Sequence, residues 1–267
     1  MVRQDGSVTT ESTPARPYVI VRRPAASLND GIVTFREREP LDLELAKSQW
    51  DAYTRVFDER GWNIVEVPTA DELPDSVFIE DTVVVFGDLA VVTNPGAPAR
   101  NPETAEVVPV VADLGFEVVK ISAPGTLDGG DVLKVGTTVY VGISGTTNEE
   151  GIAQLARFVE PRGYTVVTVP MTKALHLKSA VTALPDGTVI GYAPVVDDPS
   201  LFPSFLAVPE EPGSHVVILD ETSVVMSDEA PETAQLLRER GLDVTTVGIS
   251  EYEKLEGCVT CLSVRVR

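Results

Sequence analysis

One motif recurs along the chain and restricts its fold more than any other feature. Each copy consists of a glycine that ends an amphipathic helix, a bulky residue and an alternating strand. The copies read GWNIVEV from Gly61, GFEVVKI from Gly115, GYTVVTV from Gly163 and GLDVTTV from Gly241, with a weaker copy, GSHVVIL, from Gly213. Their uneven spacing argues against a solenoid and predicts a closed ring of about five units.

Pairs of short apolar runs joined by turn residues lie between these copies. They read VVVFGDLAVVT, VLKVGTTVYVG and AVTALPDGTVIGYA, which is typical of β-hairpins. Each unit is therefore predicted to contain two strands, a helix and a third strand, in the order ββαβ. A doubly wound parallel sheet is the alternative α/β fold, but no glycine-rich phosphate loop follows a strand and opens a helix.

Bulk composition restricts the domain organisation and the classes of partner. The 267 residues are 43% hydrophobic, which is enough for a full core. We expect residues 1–16, which are polar and without periodicity, to form a disordered leader, and residues 17–267 to form a single domain. A net charge of −20 opposes binding to nucleic acid or to an anionic membrane. No apolar run has the length of a membrane span, and we expect a cytoplasmic protein.

The chain contains only two histidines, which limits where a general base could lie. His215 falls within a strand copy, and we interpret it as structural. His176 lies in MTKALHLKSAVTALPDG, just before a hairpin, where a loop or strand end can present a side chain to a central cleft. The sequence alone leaves open whether His176 is catalytic or a partly buried core residue.

Two cysteines, Cys258 and Cys261, stand in the C-terminal run GCVTCLSVRVR. In a strand, an offset of three residues directs their side chains to opposite faces, so we expect no disulfide between them. The pair lacks the second ligand pair of a structural zinc site and the helix N-terminus of a thioredoxin-like site. A reactive thiol and two buried core thiols remain the alternatives.

Carboxylates cluster immediately before two predicted strands. The segment PDSVFIEDT carries Asp75, Glu80 and Asp81, and the segment LDGGDVL carries Asp128 and Asp131. Acidic residues at strand entry commonly cap turns. Alternatively, such carboxylates could form a cage that holds a planar guanidinium ion through bidentate hydrogen bonds.

Six motifs together resemble the dimethylarginine dimethylaminohydrolase family of the guanidine-modifying superfamily. They read VFIEDT, NPGAPAR, LDGGDVL, TNEEG, LHLKSAV and CVTCLSVRV, and the resemblance spans about residues 18–267. It implies a five-fold pseudosymmetric α/β-propeller, or pentein, with an active site in its central cleft, in agreement with the repeat pattern. It also implies hydrolysis of methylated arginine to citrulline and (di)methylamine through a covalent thiouronium intermediate, with neither a metal nor an organic cofactor.

The resemblance also implies roles for individual residues. Cys261 is implied to be the nucleophile, with Cys258 as a bystander and His176 as the proton-transfer partner. Asp128 and Asp81 are implied to grip the guanidinium of a small cationic substrate. The other implied substrate contacts are Asp75 and Glu80 near the α-amino end, Arg100 at the α-carboxylate and Leu28 on the loop that closes over the site.

One position departs from the family pattern. The segment TTNEEG places Thr146 where the family carries a second arginine for the substrate α-carboxylate. Loss of that charge-assisted contact is expected to weaken the grip by roughly 1–3 kcal/mol. The alternatives are therefore an arginine deiminase-like or other guanidine hydrolase with altered specificity at the carboxylate end, and a non-enzymatic protein that binds a cationic metabolite. Both a monomer and a homodimer are compatible with the sequence.

Overall fold

The computed structural model describes residues 17–267, so the leader predicted for residues 1–16 lies outside the described residues. The described chain forms five three-stranded sheets, and each sheet consists of an antiparallel pair whose second strand also pairs in parallel with a third strand. The strands are β1 (Tyr18–Arg22), β2 (Asn63–Val67), β3 (Val83–Phe86), β4 (Leu89–Val92), β5 (Glu117–Lys120), β6 (Val132–Val135), β7 (Thr138–Ile143), β8 (Thr165–Pro170), β9 (Val181–Ala183), β10 (Val189–Gly191), β11 (Phe205–Ala207), β12 (Val216–Ile218), β13 (Ser223–Ser227), β14 (Asp243–Val247) and β15 (Val264–Val266).

Helices connect the second and third strands of most units. The longest helix begins after Asp42, whose carboxylate accepts hydrogen bonds from the Glu44 and Leu45 N–H groups and so caps the first turn. The helices are α1 (Leu43–Glu59), α2 (Val107–Asp113), α3 (Glu149–Val159), α4 (Leu177–Ala180), α5 (Pro231–Glu239) and α6 (Ser250–Glu253). Among the described residues, no helix has the length and apolar character that crossing a membrane requires.

The units follow one another around a ring. Three of them have the predicted ββαβ order, namely β3-β4-α2-β5, β6-β7-α3-β8 and β12-β13-α5-β14. A further unit combines both ends of the described chain, because β15 pairs antiparallel with β1 and Tyr18 lies opposite Val266. The predicted five-unit α/β ring is therefore confirmed, and its closure depends on the last strand of the chain.

Four of the five predicted glycine positions are confirmed. Gly61, Gly115, Gly163 and Gly241 have φ values of 75°, 89°, 87° and 91°, respectively, and each stands just before the third strand of a unit. A left-handed backbone at the end of a helix favours glycine because no Cβ atom opposes it. This conformation explains why the motif recurs at these four positions.

The fifth copy, at Gly213, is wrongly assigned. Its segment forms β12, which is the first strand of its unit. The third strand of the preceding unit is instead β11, and two short 3-10 turns replace the expected helix before it. Pro194 and Pro199 lie in these turns, and proline removes the N–H donors that a longer helix would need. Because no α-helix precedes β11, this strand lacks the glycine motif that marks the third strands of the other units.

Apolar side chains pack between neighbouring units. One cluster joins Val84 and Phe86 of β3 to Val132 of β6 and to Ile152 and Leu155 of α3. The other core clusters likewise combine residues of adjacent units. Burial of this apolar surface stabilises the ring, and it leaves polar side chains at the strand entries free to form a site.

Candidate active site

Four of the predicted site residues occupy corresponding positions in four different units. Asp81 lies just before β3, Asp128 before β6, His176 before α4 and β9, and Cys261 before β15. Each therefore stands at the entry to the first strand of its unit. The ring brings these entries together, and all four side chains line one cleft with about 570 Å³ of free space.

His176 is buried and lies between two carboxylates. Its Nε2 atom is 3.0 Å from Asp128 Oδ2, and its Nδ1 atom is 3.8 Å from Asp81 Oδ1. Burial disfavours the charged ring, but the negative charge of Asp81 and the hydrogen bond to Asp128 outweigh this effect and raise the pKa of His176 to about 10. At neutral pH the ring is therefore an imidazolium, which can donate a proton.

Arg100 fixes the orientation of Asp81. The Asp81 carboxylate accepts hydrogen bonds from Arg100 Nη1 at 2.7 Å and from the Gly130 N–H at 2.7 Å. Burial favours the neutral acid, but the positive charges of His176 and Arg100 outweigh it and lower the pKa of Asp81. Glu103 in turn accepts hydrogen bonds from Arg100 at 3.0 and 2.9 Å. Asp81 is thus held as an anion in one orientation.

Asp128 is the second buried carboxylate of the cleft. One of its oxygens accepts the Gly96 N–H at 2.8 Å, and the other bonds His176. A carboxylate offers about four lone-pair positions, so both Asp81 and Asp128 retain capacity to accept hydrogen bonds from a ligand. Ligand atoms of Asp81, Asp128 and His176 lie within 4.8 Å of one another, which would also suit a metal ion.

The glycines of LDGGD permit this close approach. A Cβ atom on Gly129 would collide with the Glu80 carbonyl, and one on Gly130 would meet the His176 ring and the Asp81 carboxylate. Any larger residue would push the histidine and the two carboxylates apart. The two glycines are therefore explained by the close contact of their own loop with the loop of Glu80 and Asp81 and with the loop of His176.

The two cysteines contradict the expectation that their side chains point to opposite faces. Their Sγ atoms are 3.3 Å apart, and both thiols are free and buried. The segment is a turn rather than a strand, because the Cys261 N–H donates to the Cys258 carbonyl at 3.0 Å and regular pairing begins only at β15. The hydrogen bond with Cys258, burial and nearby negative charges raise the pKa of the Cys261 thiol well above its ordinary value.

Contacts with two other parts of the chain hold this cysteine turn. Tyr53 of α1 donates its hydroxyl to the Val259 carbonyl at 2.8 Å, and Arg265 donates to the Thr260 carbonyl at 2.7 Å. The Glu80 N–H donates to the Cys261 carbonyl at 3.2 Å. These tertiary contacts override the strand preference of the β-branched residues in the turn.

The structure places Glu80 outside the cleft lining. Its carboxylate is buried and lies 2.6 Å from Lys178 Nζ and 2.7 Å from Arg265 Nη2. Burial opposes ionisation, but these two cations outweigh it and lower the pKa of Glu80. Glu80 therefore ties the histidine segment to the cysteine segment beneath the site, and its direct contact with a substrate stays a prediction.

Leu28 also lies outside the cleft, because its side chain is fully buried in the core beside α1. The loop that follows it, residues 31–38, contributes Ile32 and Thr34 to the cleft lining and is here called the lid. Asp75 accepts the Ile32 N–H at 3.0 Å, and Glu256 accepts the N–H groups of Thr34 at 3.1 Å, of Arg36 at 2.6 Å and of Phe35.

Thr146, Asp75 and Arg100 line the cleft, as expected from the sequence. Thr146 Oγ1 bonds Asp131 at 3.1 Å and lies 3.0 Å from Ser144 Oγ. Among the described residues, Nη1 of Arg100 bonds Asp81 alone, so it retains one N–H for a ligand. The sequence did not single out eight further lining residues. Four of them lie inside the motifs quoted above, namely Phe78, Ala97, Leu175 and Gly257, and four lie outside any motif, namely Ile32, Thr34, Leu255 and Glu256.

Comparisons with known proteins agree with this geometry. A family model described as arginine deiminase matches residues 64–216. A dimethylarginine dimethylaminohydrolase from Streptomyces coelicolor is 57% identical over 248 residues, which cover 93% of this chain and 96% of that protein. The chain belongs to the dimethylarginine dimethylaminohydrolase family. The enzyme of this name from Pseudomonas aeruginosa is 34% identical over 93% of this chain and 98% of its own length.

Solved structures of dimethylarginine dimethylaminohydrolase share the fold. A crystal structure of an adduct with S-methyl-L-thiocitrulline superposes with a TM-score of 0.88 at 32% identity, covering 93% of this chain and 98% of that chain. A structure of the Pseudomonas aeruginosa enzyme, complexed with citrulline, gives a TM-score of 0.87 at the same identity and coverage. These similarities confirm the predicted family and the predicted five-fold α/β-propeller.

Proposed function

We propose that this protein hydrolyses methylated arginine to citrulline and (di)methylamine, with Cys261 as the nucleophile and His176 as the proton carrier. The observation that carries the proposal is the meeting of a buried thiol, an imidazolium and two carboxylates in one cleft. The family contains members solved with citrulline and as a thiocitrulline-derived adduct. Citrulline and S-methyl-L-thiocitrulline are both amino acids, and their side chains have the size and shape of the arginine side chain.

Asp81 and Asp128 supply the grip on the guanidinium. Both carboxylates are buried, fixed by hydrogen bonds from the protein and able to accept further N–H donors. A planar cation with several N–H groups matches two such acceptors, and charge-assisted hydrogen bonds are among the strongest in proteins. Fixed carboxylates therefore hold the guanidinium carbon in one place for attack.

In the first chemical step, the thiolate of Cys261 forms a bond to the central guanidinium carbon. The bond from that carbon to the methylated nitrogen then breaks, and the departing amine takes a proton from the His176 imidazolium. The product of this step is a covalent thiouronium. His176, now neutral, accepts a proton from water, whose oxygen attacks the same carbon and releases the ureido product and the thiolate.

Substrate binding is expected to generate the thiolate. In the free protein the Cys258 hydrogen bond, burial and nearby carboxylates raise the pKa of Cys261, so its thiol is protonated at neutral pH. A guanidinium bound between Asp81 and Asp128 adds a positive charge beside the sulfur, which favours the ionised form. Ultraviolet thiolate absorbance should therefore increase when a non-reacting guanidine ligand binds.

The cleft offers fewer charged side chains to the amino-acid end of the substrate than the family pattern provides. Asp75 lies in the cleft for the α-amino group, and one N–H of Arg100 is left for the α-carboxylate. Thr146 offers only a hydroxyl, which already bonds Asp131. We infer a weakened α-carboxylate contact, so a substrate with an altered tail is the second candidate.

A direct assay tests the proposal. The purified protein is incubated separately with asymmetric dimethylarginine, monomethylarginine, arginine and agmatine, and the ureido product and the released amine are quantified. We expect citrulline and methylated amine from the first two substrates. Turnover of agmatine alone would show that the substrate lacks the α-carboxylate. Stoichiometric binding without turnover would show that the protein binds a metabolite and is not an enzyme.

Two cysteine variants provide the matched control. Cys261→Ser is expected to abolish turnover, because a serine hydroxyl is far less nucleophilic than a thiolate. Cys258→Ala is expected to retain most activity, because Cys258 neither lines the cleft nor transfers a proton to or from the substrate in the proposed mechanism. Equal losses in the two variants would show that the nucleophile has been assigned wrongly.

A further inference from the structure

Cys258 has no function in the proposed mechanism, yet its sulfur lies 3.3 Å from that of Cys261. Cys258 is 2% exposed, and its thiol also lies 3.2 Å from Thr260 Oγ1. Cys261 lines the cleft, whereas Cys258 does not. One sulfur is therefore reachable by a small molecule in the cleft, and the other lies directly behind it.

We propose that Cys258 and Cys261 form an oxidisable pair, in which Cys258 resolves a peroxide-oxidised Cys261 by forming an intramolecular disulfide. The loss of activity that this implies rests on the proposed function of Cys261. The formation of the disulfide does not, because it depends only on the position and accessibility of the two sulfurs.

The backbone of the cysteine turn permits this bond. The Cys261 N–H donates to the Cys258 carbonyl at 3.0 Å, which is the hydrogen bond of a four-residue turn. Such a turn keeps its first and last Cα atoms within about 7 Å, the range that disulfides span. A disulfide needs the sulfurs about 2.0 Å apart, so the side chains need to move only by roughly an ångström.

The chemistry balances with a peroxide as the oxidant. The Cys261 thiol passes its proton to the Cys258 sulfur as it attacks one peroxide oxygen, the O–O bond breaks, and Cys261 becomes a sulfenic acid while the second oxygen leaves as water after protonation. The Cys258 sulfur then attacks the Cys261 sulfur, an S–S bond forms and the S–O bond breaks. The hydroxyl leaves as a second water, taking up the Cys258 proton. Two thiols and one hydrogen peroxide thus become one disulfide and two waters.

Sharing of one proton between the sulfurs favours this reaction. The hydrogen bond from Cys261 lowers the pKa of Cys258, against the opposing effect of burial. The Cys258 sulfur can therefore accept the Cys261 proton, which promotes the attack of Cys261 on the peroxide. Because the disulfide can be reduced by a thiol, it also protects Cys261 from the sulfinic and sulfonic states, which thiols do not reverse.

The test compares the full chain with its Cys258→Ala variant. Both proteins are treated with hydrogen peroxide, alkylated with iodoacetamide, digested with trypsin and analysed by mass spectrometry. Both cysteines lie in one peptide, after Lys254 and up to Arg265. In the unsubstituted protein we expect this peptide to lose two hydrogen atoms and to resist alkylation, and dithiothreitol to reverse both changes.

In the Cys258→Ala variant we expect the same peptide to gain two or three oxygen atoms, and dithiothreitol to restore neither its mass nor the activity. The proposal is overturned if the unsubstituted protein gains oxygen without forming the disulfide, or if the variant recovers as fully as the unsubstituted protein. A peptide mass that behaves as expected in a protein without hydrolase activity would instead count against the proposed function alone.

Discussion

Neighbouring carboxylates, rather than the ordinary pKa of an imidazole ring, determine the protonation state of His176. Asp81 and Asp128 raise its pKa to about 10 from an ordinary value of 6.5. Because the folded protein holds this proton more tightly than the unfolded chain, His176 contributes stability that is fully present below about pH 6.5. That contribution is lost as pH rises through the folded pKa, about 10.

This linkage predicts a pH-dependent difference between the unsubstituted protein and a His176→Gln variant. The free energy of unfolding of the unsubstituted protein should fall relative to that of the variant between about pH 6.5 and about pH 10, because glutamine has no proton to lose. Urea unfolding at a series of pH values measures both curves. Parallel curves would show that the histidine is neutral in the folded protein.

Thr146 allows a gain-of-contact prediction. Its side chain lines the cleft where an arginine could meet an α-carboxylate. Thr146→Arg is expected to lower KM for monomethylarginine by about tenfold, which corresponds to about 1.4 kcal/mol, and to leave KM for a methylated agmatine unchanged. Steady-state kinetics with both substrates measure this difference, and Thr146→Gln is the neutral control of similar length. An equal effect on both substrates would place the arginine away from the carboxylate.

The reactive residue types could be found from the sequence, but their contacts could not. His176, Asp81 and Asp128 precede predicted strands, but only the resemblance to the family implied that they share a cleft. The cysteine turn gave no such signal, because its β-branched residues favour a strand. Its actual shape depends on Tyr53 and on other residues far away in the chain. The orientation of the Glu80 side chain likewise depends on Lys178 and Arg265, which are distant from it in the sequence.

At the scale of elements, the lid depends on a few hydrogen bonds to carboxylates. Its residues are mostly exposed, so little apolar burial holds it closed. Glu256 accepts backbone N–H groups from three consecutive lid residues, and it lines the cleft itself. Glu256 also has a φ of 62°, a left-handed conformation that is unusual for a residue with a side chain. The lid is therefore expected to open readily when this one carboxylate is removed.

We predict that Glu256→Ala raises KM by about tenfold or more, because hydrogen bonds to a charged acceptor contribute about 1.5–3 kcal/mol each. Trypsin should also cleave the lid faster at Arg36 and Arg38 in the variant, and gel electrophoresis measures this rate. Glu211→Gln is the matched control, since it removes only an exposed ion pair with Arg36. A KM and a cleavage rate that match the control would show that Glu256 does not hold the lid.

Four of the units could be recognised from sequence because a helix and a glycine precede their third strands. The unit that ends in β11 could not, since short 3-10 turns replace its helix and no left-handed glycine marks the strand. The helix pattern of the other units is a consequence of packing an apolar face against the sheets. Where prolines interrupt the chain, the same sheet forms without that signal.

At the scale of the whole molecule, the ring is closed by an antiparallel pair that lacks a connecting turn. Tyr18 of β1 lies opposite Val266 of β15, so the two ends of the described chain are neighbours. The repeat pattern predicted a ring, but it did not show that the first strand of one unit comes from the end of the chain. That strand also carries Cys261 at its entry, which makes ring closure a condition for assembling the site.

A circular permutant tests whether chain order matters to this ring. A short glycine-containing linker would join residue 267 to residue 17, and new ends would be opened between Gly136 and Thr137, in the exposed turn of the β6-β7 hairpin. This cut resembles the existing arrangement, because the two ends of the described chain also separate the first and second strands of a unit. We expect the permutant to unfold cooperatively in a thermal melt and to retain activity within about tenfold, since such surface turns tolerate new ends.

The control opens the ring at the site instead, between Gly129 and Gly130, where the backbone packs against Glu80 and His176. Both permutants have the same linker and the same sheets, so they differ only in which loop is cut. Loss of activity in this control alone would mean that the ring tolerates reordering while the site needs its loops intact. Failure of both to fold would mean that the closing pair of β1 and β15 must form from free ends, and that the unit is not the independent element that its pseudosymmetry suggests.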